Sequence, residues 1–226
     1  IQKMLIKKAN LKGIPVITAT QMLLSMTQNE RATRAEISDV ANAVLDGTDV
    51  VMLSEESAVG EDPINVVDTM HNIIAKTEGI YNYDKQYEMP YLDEFDVIQA
   101  TVTKLADDLK ANGILAITSS GKSALKMSRY RPRTPIFTFT HKKKVLNSLT
   151  AIWGVEPIGI IKEAQASKMF QKMLKSLDEI GKLKKDGLYV ATVGYPVGMP
   201  GSTNTIKILT PSEIEYYLNF KEKKSK

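Results

Sequence analysis

Two short segments rich in side-chain oxygen atoms, each following a predicted strand, are the first candidates for chemistry. They are 19–22, which contains Thr20, and 54–57, which contains Ser54 and Glu56. The two hydroxyls lie about one β-α-β repeat apart, so adjacent parallel strands would bring them and the carboxylate to one rim of a sheet. Such a group can bind a small oxyanion or relay a proton through water. The same residue types also cap helices and close turns, and spacing alone leaves both interpretations open.

A third hydroxyl-rich segment follows the predicted strand 114–117 and precedes a predicted helix. It contains Thr118, Ser119, Ser120, Gly121, Lys122 and Ser123. Free amides at a helix start, together with hydroxyls, a glycine and a lysine, form a good cradle for a phosphate group. The segment is not a P-loop, because Ala116 stands where that motif requires its first glycine. The alternative interpretation is a capped helix on a surface loop.

Two further clusters are less specific. Arg129, Arg131 and Arg133 could form a patch that binds anions, although cations near a helix C-terminus are also favoured by the helix dipole. The glycines of 194–204 lack dinucleotide-binding spacing, and the two prolines of that segment argue against a helix there. We therefore predict a long hairpin loop over these residues.

Composition narrows the class of protein. The chain has 226 residues, of which 43% are hydrophobic and 25% charged, and no cysteine, so a disulfide framework, a thiolate nucleophile and a cysteine-ligated metal centre are excluded. Most of the net charge of +4 lies in the basic tail 221–226, which we expect to be solvated. The body is nearly neutral and gives no reason to expect nucleic-acid binding. No apolar run could span a membrane and no secretory signal is recognisable, so we expect a cytoplasmic protein.

The chain alternates short apolar runs with stretches of helical period, which predicts the α/β class. In the first part, predicted strands at 15–18 and 50–53 are each followed by a helix. The first helix begins with the capping box Thr33-Arg34-Ala35-Glu36 and ends at Gly47. The second begins at Asp62-Pro63, with its apolar stripe predicted to face inward. That stripe consists of Ile64, Val67, Met70 and Ile74.

A second body follows a connection without sustained period. We place a first body at 1–77, the connection at 78–95, a small α/β domain at 96–220 and the tail at 221–226. The domain is predicted to contain strands at 114–117, 135–139, 155–160, 188–193 and 205–210, with helices before the first strand, between the first two strands and at 164–180. The first body is not self-sufficient, because two parallel strands cannot cover both faces of a sheet or close a barrel. We therefore expect a longer N-terminal part upstream of Ile1.

The first body resembles the pyruvate kinase family closely and without gaps. The resemblance rests on Ile17-Thr18-Ala19-Thr20-Gln21-Met22-Leu23, Ser25-Met26, Thr33-Arg34-Ala35-Glu36, Ser38-Asp39-Val40-Ala41-Asn42-Ala43-Val44-Leu45-Asp46-Gly47 and Val51-Met52-Leu53-Ser54. It implies an incomplete (β/α)8 barrel segment, made of the last two βα units, followed by a regulatory α/β domain with a mostly parallel five-stranded sheet. It also implies phosphoryl transfer from phosphoenolpyruvate to ADP, giving pyruvate and ATP, with Mg2+ and K+, in a homotetramer.

Individual roles follow from the same resemblance. Thr20 matches the family's substrate-binding threonine. Ser54 and Glu56 match residues near the site that is thought to hold the waters that protonate the enolate carbon, and Arg34 matches an arginine close to a subunit contact. The loop of residues 118–123 matches a pocket for the phosphate of an allosteric effector. Further contacts to that effector are implied for Ser202 and Thr203.

Other family features are missing or altered here. Glu55 stands where the family has a glycine, which adds a side chain and a negative charge beside an anionic substrate. The family's metal-binding carboxylates, its electrophilic lysine, its phosphate-contacting arginine and its potassium ligands lie upstream of the matched region. We therefore predict that this chain alone is inactive. Two alternatives stay open, namely a non-catalytic regulatory protein that binds phosphorylated metabolites and an unrelated α/β interaction module.

Overall fold

The structure, a computed structural model, describes residues 1–19, 21–83, 89–163, 165–194 and 203–221. It forms two compact units, Ile1–Asp84 (unit 1) and Lys85–Lys226 (unit 2). The division falls within the range 78–95. Each unit is α/β, as the alternation of apolar runs and helical stretches predicts.

Unit 1 contains two short strands and four helices among its described residues. In chain order its elements are α1 (Gln2–Leu11), β1 (Ile17–Thr18), a 3-10 turn (Leu24–Thr27), α2 (Arg34–Asp46), β2 (Val50–Val51), α3 (Glu55–Ala58) and α4 (Pro63–Glu78). The two strands pair in parallel, with Ile17 opposite Val50 and Thr18 opposite Val51. Both are shorter than the sequence predicted, because each strand has only one neighbour among the described residues.

The predicted helix boundaries of unit 1 are confirmed. Thr33 caps α2 by accepting a hydrogen bond from the Glu36 amide, and the Glu36 carboxylate accepts one from the Thr33 amide in return. The helix ends at Gly47, whose φ of +94° is the left-handed conformation that glycine adopts without strain. Asp62 caps α4 by accepting from the Asn65 amide, and Pro63 occupies the first turn.

The inward face of α4 differs from the prediction. Ile64 and Val67 are 75% and 51% exposed, whereas Val66 and Met70 are buried. The predicted stripe is therefore wrong for Ile64 and Val67. The helix buries the side that packs against α2, and no described element of unit 1 covers the other side. The buried residues of unit 1 that pack together are Met22, Leu23, Met26, Val40, Ala43, Val66 and Met70.

Unit 2 contains a five-stranded sheet in the order β5-β4-β3-β6-β7, parallel except for β7. The prediction of a mostly parallel five-stranded sheet is confirmed. Its elements are α5 (Glu94–Asp108), β3 (Gly113–Ile117), α6 (Lys122–Arg129), β4 (Ile136–Thr140), α7 (Lys143–Ser148), a 3-10 turn (Leu149–Ala151), β5 (Val155–Ile160), α8 (Ala166–Glu179), β6 (Tyr189–Gly194), β7 (Thr203–Leu209) and α9 (Pro211–Leu218).

Helices cover both faces of this sheet. Leu115 and Phe137 point to one face and pack with α8 residues such as Met173, while Ile114 and Ile136 point to the other face. This alternation is the period of two that a strand imposes on its side chains. Because both faces are covered, the inner strands β3, β4 and β6 are almost entirely buried, which is typical of parallel sheets.

Candidate functional site

The rim of unit 1 is formed by the segments that follow β1 and β2. Thr20, the predicted substrate-binding residue, lies outside the described residues. Gln21, directly after it, has a φ of +46°, a left-handed conformation that costs a non-glycine residue free energy and that often marks functional loops. Ser54 follows the other strand and is exposed at the start of α3. The parallel pairing of the two strands brings the two segments to one edge, as the spacing predicted.

Glu56 ties these two segments together. One carboxylate oxygen, Oε1, accepts from the Leu23 amide at 3.1 Å, and Oε2 accepts from the Ser54 amide at 2.7 Å. The side chain is 0% exposed. Burial alone would raise the pKa of Glu56, but hydrogen bonds from its own amide and from those of Ser54 and Leu23 outweigh it and lower the pKa. The carboxylate is therefore ionised at neutral pH, and both of its oxygens bind the backbone.

The backbone at Gly60 passes close to the backbone of Glu56. A Cβ atom at this position would lie 2.2 Å from the Glu56 carbonyl oxygen, which is a severe clash with backbone. The next residue, Glu61, donates its amide to the Thr27 carbonyl at 3.1 Å. The segment after β2 therefore holds the 3-10 turn after β1 through backbone as well as through Glu56.

A second carboxylate, Glu36, contacts the same turn from α2. It accepts from the Ser25 amide at 2.7 Å and from the Ser25 hydroxyl at 2.5 Å. The sequence identified Glu36 only as part of a capping box. No periodicity or motif indicates a contact between residues eleven positions apart across a turn, so the sequence argument missed this contact.

Two other residues singled out in this region lie on the surface. Glu55, where the family has glycine, is exposed in the first turn of α3 and is absent from the residues with positive φ. An ordinary helical backbone accommodates its Cβ, so the structure removes the expected conformational problem. Arg34, the predicted subunit contact, is the first residue of α2 and is exposed.

The predicted phosphate cradle of unit 2 follows the central strand β3. Gly121 has a φ of +86° and caps α6, and its amide donates to the Thr118 hydroxyl at 2.9 Å. Ser123 lies 3.1 Å from the Thr203 hydroxyl, oxygen to oxygen, at the start of β7. Two of the predicted effector segments therefore meet. Ser120 and Lys122 are exposed and Ser119 is half-buried, while Ser202 lies outside the described residues.

The position of this loop in the sheet is informative. From β3 the chain continues to β4 on one side, whereas β6 pairs with β3 on the other side. The strand order therefore reverses direction between β3 and β6. Open α/β sheets bind ligands at such switch points. The loop of residues 118–123 begins at the carboxyl end of β3, and Gly194 is the last residue of β6.

The arginine cluster does not form an anion patch. Arg129 is 4% exposed and its guanidinium contacts the Asp96 carboxylate at 2.8 Å and the Pro90 carbonyl at 2.8 Å. Arg131 is buried and lies over the Trp153 ring, 5.1 Å from its centroid. The anion-patch interpretation is wrong for these two residues. Arg129 forms an ion pair and also lies in the last turn of α6, as the helix-dipole interpretation expects, and Arg131 packs on a ring.

The residues that the structure describes contain no cluster of metal-ligating side chains. No group of three or more histidine, aspartate or glutamate side chains in that part of the chain is arranged to hold a metal ion. Both oxygens of Glu56 already accept backbone amides. Among the same residues, no helix is long and apolar enough to cross a bilayer.

The fold and the two loop clusters define a β/α-barrel segment joined to an α/β domain. Two family models cover most of this architecture, with "Pyruvate kinase, barrel domain" matching residues 1–67 and "Pyruvate kinase, alpha/beta domain" matching residues 96–209. The chain therefore belongs to the pyruvate kinase family, as the resemblance predicted.

Individual relatives agree. The chain is 42% identical over 214 residues to a pyruvate kinase of Lactobacillus delbrueckii subsp. bulgaricus and 43% identical over 212 residues to one of Clostridium acetobutylicum. Each match covers 92% of this chain, but only 36% and 45% of the respective relative. A solved pyruvate kinase from Cryptosporidium parvum superposes with a TM-score of 0.84 at 34% identity, over 92% of this chain and 42% of that one. The chain thus spans less than half of these relatives.

Proposed function

We propose that this chain is the C-terminal part of a pyruvate kinase that transfers a phosphoryl group from phosphoenolpyruvate to ADP, giving pyruvate and ATP in the cytoplasm. The observation that carries the proposal is the rim of unit 1, where the segments after two parallel strands meet through Glu56. In β/α barrels, reactive residues cluster at the carboxyl ends of the strands.

The residues of the rim have distinct roles in this proposal. Thr20 binds the substrate, and the exposed Ser54 hydroxyl holds water near the enolate carbon that is protonated. Glu56 is assigned to the same site, but its buried carboxylate, with both oxygens on backbone amides, supports a role in holding Ser54 and the preceding loop in place. The proposal therefore assigns direct contact with the reacting groups to the two hydroxyls.

The ions of the reaction belong to other parts of the complete enzyme. Mg2+ and K+ would neutralise charge on the transferred phosphoryl group. From the resemblance to the family, we place the ligands of both ions in the upstream part of the barrel. This chain contributes one edge of the active site.

The test compares the complete enzyme with this chain. The complete enzyme is expected to form pyruvate from phosphoenolpyruvate, ADP, Mg2+ and K+, whereas the 226-residue chain is expected to form none. Ser54→Ala in the complete enzyme should lower kcat by about tenfold or more, since a positioned proton-transfer group contributes at least this much. Appreciable pyruvate formation by the chain alone would refute the proposal that it supplies only one edge of the active site.

The same proposal assigns regulation to unit 2. A phosphorylated allosteric effector binds at the loop 118–123 with Ser202 and Thr203. Three features support this site: the switch point beside β3, the left-handed Gly121 that opens α6, and the contact between Ser123 and Thr203. Lys122 is exposed and supplies a positive charge at the same place.

Lys122→Ala tests the effector site in the complete enzyme. Loss of one charge-assisted contact is expected to raise the effector concentration for half-maximal response about tenfold. Lys104→Ala is the matched control, because Lys104 pairs with Asp108 on the exposed side of α5, which ends near the start of β3 rather than its carboxyl end. An unchanged response in Lys122→Ala would count against the site.

We propose a homotetramer for the complete enzyme, with Arg34 at a subunit contact. The support is its exposed position at the start of α2. Arg34→Glu is expected to shift the mass measured by light scattering from tetramer toward smaller species. The domain boundaries proposed for the chain stay as 1–77, 78–95, 96–220 and 221–226.

A further inference from the structure

The Glu36 carboxylate makes more hydrogen bonds than its helix cap requires. It accepts from the Thr33 amide at 2.8 Å and from the Thr33 hydroxyl at 2.7 Å, which completes the capping box of α2. It also accepts from the Ser25 amide at 2.7 Å and the Ser25 hydroxyl at 2.5 Å. The last two bonds contribute nothing to the cap. They connect α2 to the 3-10 turn that follows β1.

Glu36 and Glu56 hold this turn from two sides. Glu56 binds the Leu23 amide and Glu36 binds the Ser25 amide, so one carboxylate lies on either side of Leu24, where the turn begins. Burial and the charge of the other carboxylate raise the pKa of Glu56, and its backbone hydrogen bonds overcome both effects. Two like charges near one turn are tolerated because each is bound by amide or hydroxyl donors.

The turn is also fixed by packing and by backbone contacts. Leu23 and Met26 are buried in the core of unit 1. Downstream, Thr27 accepts the Glu61 amide and the Glu30 carbonyl accepts from the Asn65 side chain at 2.8 Å. Among the hydrogen bonds described for this turn and the residues after it, those of Glu36 come from α2. The others come from the segment after β2 or from α4.

We propose that Glu36 is a positioning residue for the substrate-binding loop after β1. By fixing Ser25, it sets where the described residues that precede the turn, among them the left-handed Gln21, lie at the rim. The proposal rests on the function proposed above. It assigns to a helix-capping residue a second role, in substrate affinity, that its capping box does not indicate.

The chemistry of the side chain explains why a carboxylate is needed. Oε2 of Glu36 accepts three donors, namely the Ser25 hydroxyl and both the amide and the hydroxyl of Thr33. A glutamine offers one acceptor oxygen, and its NH2 group would face donors in place of the second. Glu36→Gln therefore keeps the size of the side chain but turns its NH2 group either toward the Ser25 amide, whose bond is lost, or toward the donors at Oε2, where the cap and the Ser25 hydroxyl bond are both weakened.

The experiment uses the complete enzyme and compares Glu36→Gln with Thr33→Ala. Thr33→Ala weakens the same helix cap but leaves both Ser25 hydrogen bonds in place. Glu36→Gln is expected to raise KM for phosphoenolpyruvate about tenfold and to lower kcat less, because the loop is misplaced while the reacting groups are retained. Thr33→Ala is expected to change KM by less than about twofold. Equal effects of the two variants on KM would overturn the proposal, since they would assign the whole effect to the cap.

Ser25→Ala supplies an independent variant on the other side of the contact. It removes the hydroxyl bond to Glu36 and keeps the amide bond. Its effect on KM should be smaller in the Glu36→Gln background than in the wild-type background, which is the signature of a shared interaction. Additive effects of the two substitutions would contradict a positioning role exerted through this contact.

Amide hydrogen exchange of a peptide covering 23–27, in the substrate-free enzyme, separates this proposal from the proposed function. Faster exchange in Glu36→Gln than in Thr33→Ala is expected, and equal exchange would overturn the contact itself. Should the complete enzyme fail to convert phosphoenolpyruvate, the proposed function fails while the exchange result still stands. Faster exchange without a change of KM in an active enzyme would overturn the positioning role.

Discussion

The two units use the same βα pattern but bury it to different extents. In unit 2, helices pack on both faces of five strands, and residues of the central strand such as Leu115 are fully buried. In unit 1, the sheet has two strands, and Ile17, Ile64 and Val67 are more than half exposed. Both units have well-formed helix caps. Local signals therefore specify helices in both units, whereas the number of strands in the sheet decides whether the apolar face of each helix is covered.

Separating the units gives the largest expected effect. Residues 89–221 are expected to unfold in one cooperative transition, because both faces of their sheet are covered. Residues 1–83 are expected to show no cooperative transition, since a two-stranded sheet with exposed apolar side chains is marginal in water. Urea denaturation followed by circular dichroism measures both.

The contrary result would be informative for this prediction. A sharp transition and protected amides in residues 1–83 would mean that the packing of α2 against α4 is sufficient to hold unit 1. Strand number would then not decide which of the two units is stable by itself.

The buried ion pair of unit 2 gives the next largest effect. Asp96→Asn leaves the Arg129 guanidinium buried without its counter-charge, and the free energy of unfolding should fall by about 3–5 kcal/mol. Lys104→Ala breaks an exposed pair with Asp108 and should cost less than about 0.5 kcal/mol. Chemical denaturation of both variants measures the difference. A loss of unfolding free energy in Asp96→Asn as small as that of the control would contradict a stabilising role for the buried ion pair.

A matched pair of truncations probes the cores directly. Leu115→Ala in the central strand should destabilise unit 2 by about 2–5 kcal/mol, because it leaves a cavity among buried neighbours. Ile64→Ala in this chain should change stability by less than about 0.5 kcal/mol, since that side chain is 75% exposed. Repeating Ile64→Ala in the complete enzyme sharpens the comparison, because a larger cost there would show that another part of the enzyme covers α4.

The smallest effect is the pH dependence of unit 1. The folded-state pKa of Glu56 lies below its ordinary value of 4.5, so the stabilisation is fully present above 4.5 and is lost as the pH falls from there through the lower, folded-state pKa. Burial raises the pKa of Glu78, partly offset by His71, so its stability contribution has the opposite sign. Exchange of the 23–27 amides, corrected for intrinsic rates, should accelerate on acidification. Glu56→Gln should flatten that slope and Glu78→Gln should not.

Much of the fold follows from the sequence because its signals are local. Thr33, Asp62 and Gly47 fix helix ends through hydrogen bonds and backbone conformation that involve neighbouring residues only. The apolar runs at 114–117 and 135–139 mark buried strands in the same way. The helices α7 and α9 were missed, although Thr210 and Pro211 do form a start signal for α9. Short helices carry too few apolar positions to show a period.

In the candidate sites, too, local features were predicted from the sequence and contacts between distant residues were not. Residue type and spacing were enough to predict that the segments after β1 and β2 share a rim, and that residues 118–123 cap a helix after a strand. They were not enough to predict that Arg129 is buried against Asp96, because that contact joins residues of two different helices. The exposure of Ile64 likewise depends on which elements surround α4.

The sequence by itself determined the α/β class, both ends of α2 and the start of α4, the membership in the pyruvate kinase family and the positions of the oxygen-rich loops. Only the tertiary structure decided that Glu56 is buried with both oxygens on backbone amides, and that Glu36 reaches Ser25. The physical reason is the separation along the chain over which each kind of interaction acts. Caps, turns and periodicity act over a few residues, whereas the hydrogen-bond partners of a carboxylate depend on how separate parts of the chain pack.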